Sequence, residues 1–142
     1  MTNRQPIKLL FLCTGNSCRS IMAEAMLNHY ASNHYLAFSA GSAPVNHVHP
    51  KAIETLERHA IKANTSRSKS WEEFKSQTFD VVITVCDKAA SESCPIFPGH
   101  PTKLHWSIPD PAQTQGSKEE INAAFETVFH QLKLKIEQEL LS

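Results

Sequence analysis

At 142 residues, 41% of them hydrophobic, the chain is long enough for one domain (1–142) with a real core and too apolar for disorder. Its 14 Lys+Arg balance 14 Asp+Glu, so it lacks the charge footprint of a nucleic-acid or membrane-surface binder. No apolar run approaches the ~20 residues of a transmembrane helix. The N-terminal MTNRQPIKLLFLC has no small-residue cleavage site behind its short apolar run, so no signal peptide is expected and the compartment expected is the cytoplasm.

IKLLFLC, 7–13, reads as a buried parallel strand. A helix follows from about Cys18 to Ser32, with Met22, Met26 and Tyr30 on one face. LAFSAGS, 36–42, is a short second strand ending in a turn at Gly41. Pro50 can open a helix over PKAIETLERHA, with Ile53, Leu56 and Ala60 inward. Residues 61–69 are polar and irregular, and SWEEF, 70–74, has the spacing of a capping box between Ser70 and Glu73. VVITVC, 81–86, is the clearest strand, rich in β-branched residues. DKAASES reads as a short helix, CPIFPGHP as an irregular loop, and TKLHWSI, 102–108, as a fourth strand. After the polar loop PDPAQTQGS, Ser117 caps a long helix with Ile121, Phe125, Val128, Leu132, Ile136 and Leu140 along one stripe. Strands alternating with helices imply an α/β fold, a four-stranded parallel sheet with helices on both faces. Ligands then sit at the carboxyl ends of the strands, where Cys13, Cys86 and Asp110 all fall.

The chemistry concentrates in CTGNSCRS, 13–20. A strand-to-helix loop of this length, Thr14, Gly15, Asn16, Ser17 and Cys18, can turn its backbone N–H groups inward as an anion nest, backed by the positive helix end. Arg19 adds a planar fork for two oxygens of a tetrahedral oxyanion. Cys13 at the base of the nest should have a lowered thiol pKa and serve as nucleophile, with Ser20 in place to hydrogen-bond its sulfur. Asp110, held between two prolines, fits a general acid or an ordinary turn aspartate. Cys86 and Cys94 admit a thiol-exchange relay with Cys13, or two buried thiols. Zinc is not expected, because there is no Cys-x-x-Cys pair and His100 and His105 lack a matching spacing. Cys18 reads as packing or as protection of the nucleophile.

These residues resemble the low-molecular-weight protein tyrosine phosphatase superfamily, and within it the arsenate reductases. CTGNSCRS resembles the family's phosphate loop, MAE at 22–24 and AGS at 40–42 continue the pattern, and VCDKAASESCP at 85–95 resembles the segment with two resolving cysteines. HWSIPDPA at 105–112 resembles the loop with the general acid, and Ala112 stands where the phosphatases usually have a tyrosine. The resemblance implies a relay. Cys13 attacks arsenate held by Arg19, Asp110 protonates the departing oxygen, and Cys86 attacks Cys13 to release arsenite. Cys94 then takes over Cys86, leaving a disulfide for thioredoxin or, in other branches, glutaredoxin and glutathione to reduce. Phosphate and sulfate would compete for the loop. The alternative is a phosphatase that hydrolyses phosphomonoesters through a phosphocysteine. Some relatives hold potassium near positions like Asn16 and Glu24 with an aspartate near the end of the 61–70 region. That region here, IKANTSRSKS, has no acidic residue, and no metal, cofactor or nucleic acid is expected in what is taken to be a monomer.

Overall fold

Strand β1, Ile7–Leu12, is the centre of the molecule, and its Leu9, Leu10, Phe11 and Leu12 are fully buried. Alternation sends Leu9 and Phe11 to one face of the sheet and Leu10 and Leu12 to the other. A strand covered on both faces must be apolar at every position, which is why this run shows no polar alternation. The computed structural model describes residues 5–63, 67–87 and 97–141. Its sheet is parallel with order β2-β1-β3-β4, where β2 is Tyr35–Ala40, β3 Val81–Thr84 and β4 Thr102–His105. The register sets Leu12 beside Ala40 on one side and Thr84 on the other.

Three helices share one core with Leu9 and Phe11: α1, Arg19–Tyr30; α2, Pro50–Arg58; and α3, Lys118–Glu139. The second face is covered by the 3-10 turn Trp71–Phe74 together with Phe79 and Phe97, around Leu10, Leu12 and Val82. Each fully buried Leu or Phe contributes about 1.5–3 kcal/mol relative to exposure. In α3 the expected stripe is inward and Phe129 joins it, because a 3.6-residue period brings 128 and 129 onto one face. Ser117 and Glu120 close a full capping box at its start.

Three sequence expectations change. Tyr30 is exposed, because α1 ends there, and its ring lies under the Lys133 ammonium. Ala60 is exposed too. It sits past α2 at φ +61 in a Schellman turn, with Ile61 N–H on the Leu56 carbonyl and Ala60 N–H on that of Glu57, and it is Ile61 that enters the core. The Ser70–Glu73 capping box does not form. Ser70 Oγ accepts from Glu72 N–H, while the Glu73 carboxylate pairs with Arg67. The short helix read into DKAASES lies almost wholly outside the described residues.

Candidate active site

Cys13 continues the β1–β2 ladder by one step, its N–H on the Ala40 carbonyl at 3.1 Å, and the chain then leaves the sheet. The loop carbonyls are tied outward. Thr14 O accepts from Ala43 N–H at 3.0 Å, Gly15 O from Val45 N–H at 3.1 Å, and Ser17 O from His49 N–H at 2.8 Å. Across a planar trans peptide the N–H points opposite to the carbonyl. The N–H groups of Gly15, Asn16 and Cys18 are thereby turned to the inner side of the loop. Helix α1 starts directly behind, with no side-chain cap among the described residues and no acidic residue in its first turn. Its positive end is therefore left for an anion.

Gly41 explains how closely β2 approaches this loop. A Cβ there would stand 2.4 Å from the Thr14 carbonyl oxygen and 2.6 Å from that of Cys13, so only glycine fits. Within the loop it is Asn16, and not Gly15, that takes a left-handed φ of +47. The Asn16 side chain is fully buried and spent on the scaffold. Its Oδ1 accepts from Lys69 N–H and its Nδ2 donates to Ser20 Oγ, each at 2.8 Å. The expected contact of Ser20 with sulfur is thus replaced by one with Asn16, which leaves Asn16 only its backbone for an oxyanion.

A cleft of about 720 Å³ opens over the loop, and Cys13, Cys86, Arg19, Asp110, Asp87 and Ser107 are among its lining residues. Arg19 donates through Nη1 to the Ile108 carbonyl at 2.9 Å, and its Nη2 lies 3.6 Å from Asp110 Oδ2. Its Nε–H is buried without an acceptor among the described residues, a donor that an oxyanion in the loop would satisfy. Asp110 caps the 3-10 turn Pro111–Gln113 by accepting from Ala112 N–H at 3.0 Å. Its Oδ1 also receives the Cys18 thiol at 3.8 Å. Burial, followed by the charge of Asp110, pushes the Cys18 thiol up to about 11 and keeps it protonated. Cys18 is therefore a donor to Asp110 as well as a packing residue.

Cys86 follows β3 by two residues and is buried next to Cys13. Its Sγ shares a hydrogen bond with Thr14 Oγ1 at 3.6 Å. The expected fall of the Cys13 thiol pKa is not met. A hydrogen bond with Cys86 and burial both raise it, and they outweigh the lowering by Arg19. Cys13, Cys18 and Cys86 are all thiols, with no disulfide among them. Cys94 lies outside the described residues. Behind Cys86, Asp87 is anchored by His105 Nε2 and Ser107 Oγ, each at 2.9 Å, and these bonds hold its carboxyl below the usual range. His105 Nδ1 is 2.7 Å from Thr84 Oγ1, so the imidazole links strand β3 to this anchor. The sequence reading missed Asp87 and Ser107, since neither carries a recognisable spacing.

Trp106, fully buried against Phe11, donates its indole N–H to Glu139 at 3.1 Å and so ties the Asp110 loop to the end of α3. Among the described residues only His59, Glu126 and His130 gather ligand atoms within 4.8 Å. Arg58 occupies one Glu126 oxygen at 2.9 Å and His59 the other at 2.9 Å, so the group serves as an ion-paired clasp between α2 and α3.

Comparison with known proteins agrees with this geometry. Residues 8–141 match the family model described as low molecular weight phosphotyrosine protein phosphatase. An arsenate reductase of Shouchella clausii is 35% identical over 130 residues, 92% of each chain. A solved structure described as an arsenate reductase in reduced state superposes with a TM-score of 0.77 at 28% identity, covering 95% of this chain and 97% of that one. A thioredoxin-dependent arsenate reductase from Corynebacterium glutamicum gives 0.64 at 26% identity, over 96% of this chain and 64% of that one.

Proposed function

The chain belongs to the low molecular weight phosphotyrosine protein phosphatase family, and on that premise we propose that it works as that family's arsenate-reducing kind through a relay of three thiols. It is an enzyme that reduces arsenate to arsenite. The observation that carries the relay is that Cys13 and Cys86, both buried, line one oxyanion cleft, with the Cys86 sulfur on the hydroxyl of Thr14 next to Cys13. A phosphomonoesterase would use Cys13, Arg19 and Asp110 and would give Cys86 no task.

Arsenate sits on the loop N–H groups and on Arg19, whose buried Nε–H gains its acceptor. Cys13 sulfur bonds to arsenic as an oxygen leaves as water; Asp110 gives that oxygen its proton, and the Cys13 thiol proton replaces the one Asp110 has given. Cys86 sulfur then attacks Cys13 sulfur, and its thiol proton passes to an oxygen on arsenic. The arsenic–sulfur bond breaks, its electron pair stays on arsenic, and arsenite leaves with a Cys13–Cys86 disulfide behind. Cys94 attacks Cys86 and returns Cys13 as a thiolate, and a thioredoxin-like dithiol reduces the Cys86–Cys94 bridge. The reducing cytoplasm, where such dithiols are maintained, is the proposed compartment. No helix among the described residues is long and apolar enough to cross a membrane.

Cys86→Ser and Cys94→Ser are expected to abolish multiple-turnover arsenite production with thioredoxin, its reductase and NADPH. Mass mapping after one turnover without reductant should find Cys13–Cys86 in Cys94→Ser and Cys86–Cys94 in the wild type. Normal turnover by either serine variant would sink the relay.

A further inference from the structure

Lysine is almost never fully buried without a partner, yet Lys69 is 7% exposed beneath the oxyanion loop. Its ammonium donates to the Arg67 carbonyl at 2.8 Å and to Ser39 Oγ at 3.4 Å, and it lies 3.9 Å from Glu24 Oε1. Ser39 Oγ in turn donates to Glu24 Oε1 at 2.7 Å. An ammonium has three protons, and three oxygens converge on this one. The main chain of the same residue holds the loop. Lys69 N–H satisfies Asn16 Oδ1 at 2.8 Å, and Lys69 O accepts from Gly41 N–H at 2.9 Å.

The resemblance stated above implies potassium in some relatives at positions like Asn16 and Glu24. The residues here do not fit a resident ion. Asn16 Oδ1 is already taken by a main-chain N–H, and the ammonium lies on the carboxylate, hydroxyl and carbonyl oxygens that a hard cation would need. We infer that Lys69 is a covalently tethered cation, which neutralises buried Glu24 and braces the loop without any free monovalent ion. Glu24 is itself pushed up by burial and drawn back by Lys69, so the two charges depend on each other. Without the ammonium, a carboxylate one helical turn from Ser20 faces the underside of an anion site and repels its ligand. Lys69 is thus a positioning residue, acting on the oxyanion through the loop.

The phosphate arm of the test rests on the function proposed above, and the melting arm does not. Both use the full chain in potassium chloride, sodium chloride and tetramethylammonium chloride at equal ionic strength. The wild type should melt at one temperature and bind inorganic phosphate with one affinity in all three. Lys69→Met keeps the length and the main-chain bonds but loses the charge, and it should bind phosphate about tenfold more weakly in every salt. Lys69→Ala opens space beside Glu24, which also borders a surface cleft of about 300 Å³ with Ala25, Asn28 and Lys62. It should weaken equally in tetramethylammonium chloride and recover both affinity and melting temperature in potassium chloride. Potassium dependence in the wild type, or unchanged phosphate affinity in Lys69→Met, would overturn the inference. If the wild type fails to bind phosphate in any salt, the oxyanion reading falls instead, and a potassium-raised melting temperature unique to Lys69→Ala still supports the tethered cation.

Discussion

Cys13 shows how one contact sets the resting state of the site. Its thiol is held above the ordinary thiol value by the hydrogen bond with Cys86 and by burial. Only the thiolate is alkylated. Removing Cys86 removes the leading cause of the upward shift, so the alkylation profile of Cys13 in Cys86→Ala should move to lower pH. Iodoacetamide labelling mapped by mass spectrometry measures it, and a profile that stays put or moves upward refutes the coupling. Cys18, pushed up to about 11, should stay largely unlabelled at pH 8 in both proteins and mark the background. At this scale the sequence revealed which residues meet, because Cys13, Cys86 and Asp110 each follow a strand or its loop. It did not reveal the direction of the Cys13 shift, which depends on a partner 73 positions away whose contact only the fold creates.

Elements explain how the loop is held. Segments 41–49 and 67–71 grip it from outside, by the carbonyl bonds of Thr14, Gly15 and Ser17 and by the Ser68 hydroxyl on the Gly15 carbonyl at 3.2 Å. The tightest point is Gly41. In Gly41→Ala the added methyl meets two backbone oxygens, 2.4 and 2.6 Å away, which no side-chain rotation relieves. Displacement of the loop by even 1 Å should cost about 100-fold in kcat/KM for arsenate. Steady-state kinetics with a melting curve as control decides it, and near-wild-type kinetics would mean that the close approach is not needed. The strands and the long C-terminal helix were legible because apolar runs and the 3.6-residue stripe are local signals. The 61–70 segment was not. The burial of Lys69 is set by tertiary contacts, and in sequence IKANTSRSKS shows only polarity.

The whole molecule is held at the helix layer as well as in the sheet. Glu126 on α3 receives Arg58 and His59 from the end of α2, and His59 stacks on Phe129 with centroids 3.8 Å apart. Burial alone would raise Glu126, yet His59 and Arg58 together hold it below the usual range. A depressed folded pKa stabilises above the unfolded value and loses that stability as pH falls through the folded one. Partly exposed, this clasp is worth about 0.5–1 kcal/mol. Glu126→Gln should therefore melt about 2–4 °C lower near neutral pH. The gap should close under acid, once the wild-type carboxyl is protonated. A gap that does not narrow at all as the pH is lowered from neutral through the glutamate range would assign the loss to packing.

Strand pairing itself carries the last consequence. Leu12 stands beside Thr84, and Val85 N–H extends that ladder to the Leu12 carbonyl at 2.8 Å, so the approach of Cys86 to Cys13 is counted out residue by residue along β1 and β3. Side chains change face at every step of a strand. Val85 and Cys86 both join the core of Leu9 and Phe11, so the alternation stops where β3 ends and the chain turns both side chains to the side of the nucleophile. Where that strand stops, and not only what it contains, then decides whether the loop faces one sulfur or two.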